Sequence, residues 1–340
     1  KGRSQSFLNY RRGKSLASTH FDSSSRGPVF VIIPAYNAEA RLEKVAAGVL
    51  PLVDGLVIVD DCSHDATAAA AERLAAADPR VHVARHAANQ GVGGAMLTGY
   101  RLARELGAGV VVKMDSDDQM DPAHLPALIR PILSRQADYA KGNRFLHDHE
   151  LQRMPPIRRL GNMGLSFLTK LASGYWNIFD PTNGYTAISA GVIPLLDPAR
   201  IDRRFFFETS LLLELGRLRA VVQDVSIPAR YQDEQSALSE WKTLVEFPPK
   251  LLRGFFRRVV YQYFLRDFTA VSLFLVAGLA GVLFGLAWGI VKWVQGSLAG
   301  VPATTGTVMI AVLPLILGMQ LLLQAAVLDI QNVPKDVIGE

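Results

Sequence analysis

The chain has 340 residues, 49% of them apolar and 20% charged, which excludes fibrous, collagen-like and wholly disordered classes. A single cysteine, Cys62, excludes a disulfide framework and points to a reducing compartment. The net charge of +5 is local: residues 1–27 carry Lys1, Arg3, Arg11, Arg12, Lys14 and Arg26 against Asp22 alone. That Ser- and Arg-rich segment has no apolar periodicity and predicts a disordered basic tail. No arginine–aromatic interleaving accompanies its charge, so nucleic acid is not an expected partner.

From Val29 short β-branched runs alternate with amphipathic stretches. The expected strands are Val29–Ile33, Leu56–Val59, Val81–Ala84 and Val110–Met114, and the helices between them Ala38–Leu50, Ala66–Ala77 and Gly91–Leu106. Such alternation implies βαβ units and a mostly parallel sheet, with ligands at the carboxyl ends of the strands. Beyond Asp138 the rhythm loosens, although Ile157–Leu171 still reads as a helix, with Arg158 and Arg159 beside its apolar face. Over Leu251–Phe264 an apolar face opposes Lys250, Arg253, Arg257, Arg258 and Gln262, the pattern of a basic helix lying in a membrane interface.

Two charge-free apolar stretches follow, Thr269–Val291 and Gly306–Leu328, each 23 residues and roughly 34 Å as helix, enough to span a bilayer. Residues 241–267 hold six Lys and Arg, whereas the loop between the spans holds only Lys292, so the soluble domain and the C-terminus are expected on the cytoplasmic side. Ala277, Gly281, Gly285 and Gly289 form a small-residue stripe that suits either pairing with the second span or assembly into a homo-oligomer.

Four motifs stand at expected strand ends. Met114-Asp-Ser-Asp-Asp-Gln119 offers Asp115, Asp117 and the Gln119 carbonyl as oxygen ligands suited to Mg²⁺ or Mn²⁺. Ile33-Pro-Ala-Tyr-Asn37, with Glu39, supplies an aromatic ring for stacking and two hydrogen-bonding side chains. Val59-Asp-Asp-Cys-Ser-His-Asp-Ala-Thr67 offers Asp60 or Asp61 as an acceptor for a uracil N–H, and Ser63, Asp65 and Thr67 as helix caps. Asn89-Gln-Gly-Val-Gly-Gly-Ala95 reads as amides facing a ligand at a helix N-terminus. A dinucleotide fingerprint fails, because Met96 stands where its third glycine belongs.

In this order and spacing the motifs resemble family 2 glycosyltransferases of GT-A fold. With Lys141-Gly-Asn-Arg-Phe145, Asp180-Pro-Thr-Asn-Gly-Tyr185 and the two spans, they resemble the polyprenyl-phosphate subgroup, which includes dolichyl-phosphate mannose synthases and undecaprenyl-phosphate glucosyltransferases. The resemblance implies a tail over 1–27, a Rossmann-like GT-A domain over 28–240, a juxtamembrane amphipathic helix over 241–267, two transmembrane helices over 268–330 and a cytoplasmic tail over 331–340. It implies that Pro34, Tyr36, Asn37, Glu39, Asp60, Asp61, Gly91 and Asp115 bind a nucleotide sugar, and that Asp115, Asp117 and Gln119 hold the metal. Asp117, Asp180 and Arg144 would be catalytic. Arg144, with Lys141, Arg158, Arg159 and Arg230, would draw in the acceptor phosphate.

The expected reaction is inverting transfer of one sugar from a nucleotide donor to polyprenyl phosphate at a bacterial inner membrane. Resemblance to the bacterial members favours UDP-glucose over GDP-mannose. Transferases acting on hydroxyls often carry Glu-Asp at the start of a late helix; here Phe207-Glu-Thr-Ser210 leaves the base position vacant, as suits an acceptor already ionised. Two spans are too few for a processive polysaccharide synthase with its own channel, and the acidic triad disfavours a membrane-tethered binding protein without turnover.

Overall fold

A computed structural model describes residues 27–143, 156–227 and 240–338. The tail expected over 1–27 lies outside them apart from Gly27, as do Arg144 and Arg230. The first half follows the sequence pattern: β1 (Val29–Ala35), α1 (Glu39–Val49), β2 (Gly55–Asp60), α2 (Thr67–Ala77), β3 (Val81–Arg85), α3 (Gly91–Glu105), β4 (Val110–Lys113) and α4 (Leu125–Leu133). The strands β1, β2 and β4 are buried almost throughout, as strands covered on both faces must be.

Then come β5 (Tyr139–Asn143), α5 (Pro156–Ser173), β6 (Thr186–Ser189), α6 (Phe207–Leu218) and β7 (Val222–Ser226). The seven strands lie in the order β3-β2-β1-β4-β6-β5-β7. Only β6 runs antiparallel to its neighbours β4 and β5; the remaining pairs are parallel. Side-chain alternation divides the core. Val31 and Ile33 of β1 pack with Leu42, Val45 and Val49 of α1 on one face. Ile32 packs on the other with Met96 and Tyr100 of α3 and with Phe207, Leu211 and Leu215 of α6.

The C-terminal third is α7 (Glu240–Val260), a wider helical turn over Tyr261–Arg266, α8 (Ala270–Ala299) and α9 (Thr305–Gln331). Both α8 and α9 are long and apolar enough to cross a membrane. They are not core helices of a soluble domain, because Leu279, Leu283, Ile290, Leu313, Ile316 and Leu323 are exposed along them. The small-residue stripe faces the other span of the same chain. A Cβ on Gly285 would stand 2.6 Å from the Ala311 carbonyl oxygen, and one on Gly281 would stand 2.9 Å from that of Pro314. Intramolecular packing therefore uses the stripe that had also suggested a homo-oligomer.

Helix α7 departs from its expected simple amphipathicity. Leu251 is buried against α5 and α6, while Leu252, Phe256, Val260 and Phe264 form a separate exposed apolar row. Arg258, expected on the basic face, turns inward and meets Asp329 of α9 through two hydrogen bonds of 2.7 and 2.9 Å. Tyr263 and Trp176 also donate to Asp329, at 2.5 and 3.3 Å. The segment expected as a cytoplasmic tail is docked on the domain: the Ile338 amide donates to the buried Asp138 at 3.0 Å, and Val333 and Ile338 pack on the α3–α6 core. The spans are thus bolted to the domain that precedes them.

Candidate active site

Pro34 stands near the end of β1, and the loop after it carries Tyr36 and Asn37. The β1–β4 ladder ends at Ile32 opposite Lys113, so the missing N–H of Pro34 costs that ladder nothing. Asn37 adopts a φ of 50°, a conformation asparagine tolerates. Its amide donates to Ser63 Oγ at 3.0 Å, and its Oδ1 accepts from the His64 amide at 2.9 Å. Glu39 accepts from the Ala66 amide at 3.2 Å, and Thr67 Oγ1 accepts from the Ala38 amide at 2.7 Å. Asn37, Glu39, Ser63, Asp65 and Thr67 therefore stitch the loops after β1 and β2 together, in place of the helix caps read from Ser63, Asp65 and Thr67. Tyr36 is left outside this network, with 47% of its surface exposed.

Asp60 and Asp61 have separate duties. Asp61 accepts from the Gln90 and Gly91 amides at 2.8 and 2.7 Å and pairs with His86 Nδ1 at 2.7 Å. The next free amides of α3, those of Gly93 and Gly94, donate to the Arg203 carbonyl. The Gly91 amide is thus taken by Asp61, which corrects the reading of Gly91 as a ligand-facing amide, and both Asp61 oxygens accept from the protein. Asp60 is buried; its Oδ1 accepts from the Ser63 amide at 3.1 Å. Its Oδ2 has no hydrogen-bond partner among the described residues, with Arg85 Nε 3.4 Å away. Of the two carboxylates, only Asp60 has an oxygen that accepts no hydrogen bond among the described residues, and Arg85 is its ion-pair partner.

The acidic turn follows β4. Lys44 of α1 meets Asp118 at 2.5 Å, and Arg41 donates to the Asp117 carbonyl at 3.4 Å, so α1 holds the turn from one side. The Gln119 amide donates to Asp117 Oδ1 at 3.1 Å. From the sheet comes a residue that the sequence analysis passed over. Lys113 is buried at the end of β4, with its ammonium 2.5 Å from Asp115 and 3.3 Å from Glu208 at the start of α6. Burial alone would depress its pKa, but the Asp115 and Glu208 carboxylates outweigh it and hold Lys113 above the ordinary lysine value. The signal available was a lysine within an otherwise apolar strand.

Burial and then the Asp115 charge push the Asp117 carboxyl above its usual range. Burial likewise raises Glu208, with Lys113 pulling against it. Several carboxylates thus share one buried ammonium, a charge deficit that a hard divalent cation would fill. Room is reserved for the arrangement: a Cβ on Gly184 would stand 2.7 Å from Lys113 Nζ and 2.8 Å from Asp115 Oδ2. Among the described residues no group of three or more His, Cys, Asp or Glu is placed to hold a metal ion. Asp115 and Asp117 are a pair of carboxylates of the hard-oxygen type that Mg²⁺ or Mn²⁺ takes alongside water or phosphate oxygens.

Lys141 is opposite Thr186 in register, as Lys113 is from the other side. It is buried, donates to the Asp180 carbonyl and pairs with Asp224 at 3.6 Å. Its place as a surface ligand for an acceptor phosphate is therefore corrected: Lys141 is committed inside the fold. Asp180 is buried beside it. Arg158 and Arg159 lie in the first turn of α5. The structure brings together Asp115, Asp117, Lys113 and Glu208, the last directly before Thr209, which stands at the vacant base position.

The family model for glycosyl transferase family 2 matches residues 30–194. The chain is 30% identical over 222 residues to the UDP-N-acetylglucosamine–dolichyl-phosphate N-acetylglucosaminyltransferase of Methanococcus voltae, covering 62% of this chain and 88% of that protein. The chain belongs to glycosyl transferase family 2. This glycosyltransferase is also 31% identical over 202 residues to the undecaprenyl-phosphate mannosyltransferase of Micrococcus luteus, covering 58% of this chain and 82% of the relative. Its GT-A fold is shared with glucosyl-3-phosphoglycerate synthase from Mycobacterium tuberculosis, solved with Mn²⁺, UDP and phosphoglyceric acid. There the TM-score is 0.52 at 20% identity, covering 73% of this chain and 84% of that one.

Proposed function

We propose that this family 2 glycosyltransferase moves a single sugar from a nucleotide-sugar donor to a polyprenyl phosphate at a membrane surface, with its catalytic domain on the cytoplasmic side. The observation that carries this reading is the rigid join between the acidic strand-end site and the two apolar helices, made by Arg258–Asp329 and by Ile338 on Asp138. A domain fixed in that way to a membrane is suited to an acceptor that does not leave it. The relatives named for dolichyl and undecaprenyl phosphates support the acceptor class.

In this reading Tyr36 stacks on the base, and Asp60 Oδ2 accepts from a base N–H. Asp115 and Asp117, with Gln119, hold Mg²⁺ or Mn²⁺, and when bound the ion neutralises charge developing on the departing diphosphate. Lys113 fixes Asp115 and keeps Glu208 paired. An acceptor phosphate oxygen attacks the anomeric carbon, that carbon's bond to the diphosphate breaks with inversion, and the nucleoside diphosphate leaves. A phosphate monoester has a second pKa of about 6, so the nucleophile needs no side-chain base near neutral pH. Arg144, Arg158, Arg159 and Arg230 are the proposed phosphate ligands, with Asp180 orienting the sugar.

The test is a panel of labelled UDP-glucose, GDP-mannose, UDP-galactose and UDP-GlcNAc, each supplied with undecaprenyl phosphate and Mg²⁺ and followed by extraction of lipid-linked product. UDP-glucose is the expected donor. Label in lipid from none of the donors would overturn the proposal.

A further inference from the structure

A second strongly charged feature lies away from the acidic turn. A cavity of about 730 Å³ opens between α6, the last turns of α7 and the segment Tyr261–Arg266, and seven arginines line it. Three of them meet carboxylates: Arg200 with Asp197 at 2.7 Å, Arg217 with Glu214 at 2.6 Å and Arg258 with Asp329 at 2.7 Å. Arg219 donates to Asn332, a neutral partner, at 3.1 Å. Arg253, Arg257 and Arg266 have no ion pair or hydrogen bond among the described residues. The cavity therefore keeps an excess of positive charge that the described residues do not neutralise.

Its position shows what could neutralise it. The cavity takes Ser210, Leu213 and Arg217 from α6, residues that stand roughly 140–200° around the helix from Glu208 at 100° per residue. These side chains thus leave α6 on the side turned away from Glu208, the residue that pairs with Lys113. Arg266, in its wall, lies only a few residues before α8 begins at Ala270, which puts the cavity at headgroup depth if α8 crosses the membrane. Phe256 and Leu265, both largely exposed, belong to the same lining. Guanidinium groups recognise phosphate oxygens, and basic pockets beside membrane spans suit anionic lipid headgroups.

We propose that this cavity binds the headgroup of an anionic phospholipid, at a site separate from the acceptor site, with Arg253, Arg257 and Arg266 on the phosphate and Phe256 and Leu265 against the acyl chains. The proposal requires the spans to lie in a membrane but is independent of the donor sugar and of the acceptor.

The full chain in neutral detergent is titrated with phosphatidylglycerol, phosphatidylcholine or inorganic phosphate, and bound lipid is counted by native mass spectrometry alongside the melting temperature. Phosphatidylglycerol is expected to bind about tenfold or more tighter than phosphatidylcholine, a difference of about 1.4 kcal/mol or more. Arg253→Gln with Arg257→Gln should abolish that preference without changing the lipid-free melting temperature, because neither side chain has an ion pair or hydrogen bond among the described residues. Lys250→Gln with Lys335→Gln removes the same charge outside the cavity and should leave the preference intact. A preference that survives the arginine pair, or falls equally with the lysine pair, overturns the proposal. So does inorganic phosphate that displaces the lipid at millimolar concentration, which would mark a soluble-anion site, or undecaprenyl phosphate that competes for the same arginines, which would make the cavity the acceptor site.

Discussion

The Arg258–Asp329 pair and the Lys113 cluster are both buried charges, yet they are built in opposite ways. At Asp329 one carboxylate meets a bidentate guanidinium and two further donors, Tyr263 and Trp176. At Lys113 one ammonium is divided between Asp115 and Glu208, and Asp117 is pushed above its usual range by burial and by the Asp115 charge. At the first site the carboxylate is saturated, and the pair fastens two parts of the molecule. The second carries uncompensated negative charge, which a fold does not maintain for stability alone.

Removing the partner at the saturated site should have the largest effect on stability. Asp329→Ala leaves Arg258 buried and unpaired, a loss of about 3–5 kcal/mol, read as a lowered melting temperature of the full chain in detergent. A melting temperature within 2 °C or so of the unmodified protein would mean that the pair does not fasten the spans. Asp117→Asn should do the reverse. Turnover should fall about thousandfold, near 4 kcal/mol of barrier, while the metal-free melting temperature does not drop, because the removed charge was disfavoured.

The pH dependence sharpens the same contrast. As an acid whose pKa is raised in the fold, Asp117 favours the folded state below the ordinary aspartate value of about 3.9 and works against it as pH rises through the raised value. A bound divalent cation reverses that sign. Thermal stabilisation by Mn²⁺ should therefore vanish on acidification at a higher pH than an ordinary aspartate would require, and should be absent at every pH in Asp117→Asn. A smaller effect is expected between the spans. Gly285→Leu meets the Ala311 carbonyl and should cost about 1–3 kcal/mol, seen as a looser α8–α9 pairing by cross-linking, with donor binding retained.

The two sites also differed in how far the sequence disclosed them. Strands β1, β2 and β4 announce themselves as apolar runs, and the acidic turn stands directly after one of them. By contrast β5, β6 and β7 carry Lys141, Asn143, Thr186 and Asp224, so they present no apolar run and no clean alternation. Asp329, near the end of an apolar span, gave no sign of its partner 71 residues earlier. The separate roles of Asp60 and Asp61 depend on which amides face them, and adjacent identical side chains cannot reveal that. The small-residue stripe was visible, but which helix it met required coordinates.

In the proposed mechanism the nucleophile is a phosphate, and Glu208, paired with Lys113, takes no proton. The most direct test is the pH profile of transfer to undecaprenyl phosphate by Glu208→Gln and by the unmodified chain, at saturating donor. Glu208→Gln should stay within about tenfold, roughly 1.4 kcal/mol, and both profiles should rise through a pKa of about 6 and then plateau, as the acceptor reaches its dianion. A Glu208→Gln variant as inactive as Asp117→Asn would show that a side-chain base is required, and would point to a hydroxyl acceptor in place of a phosphate.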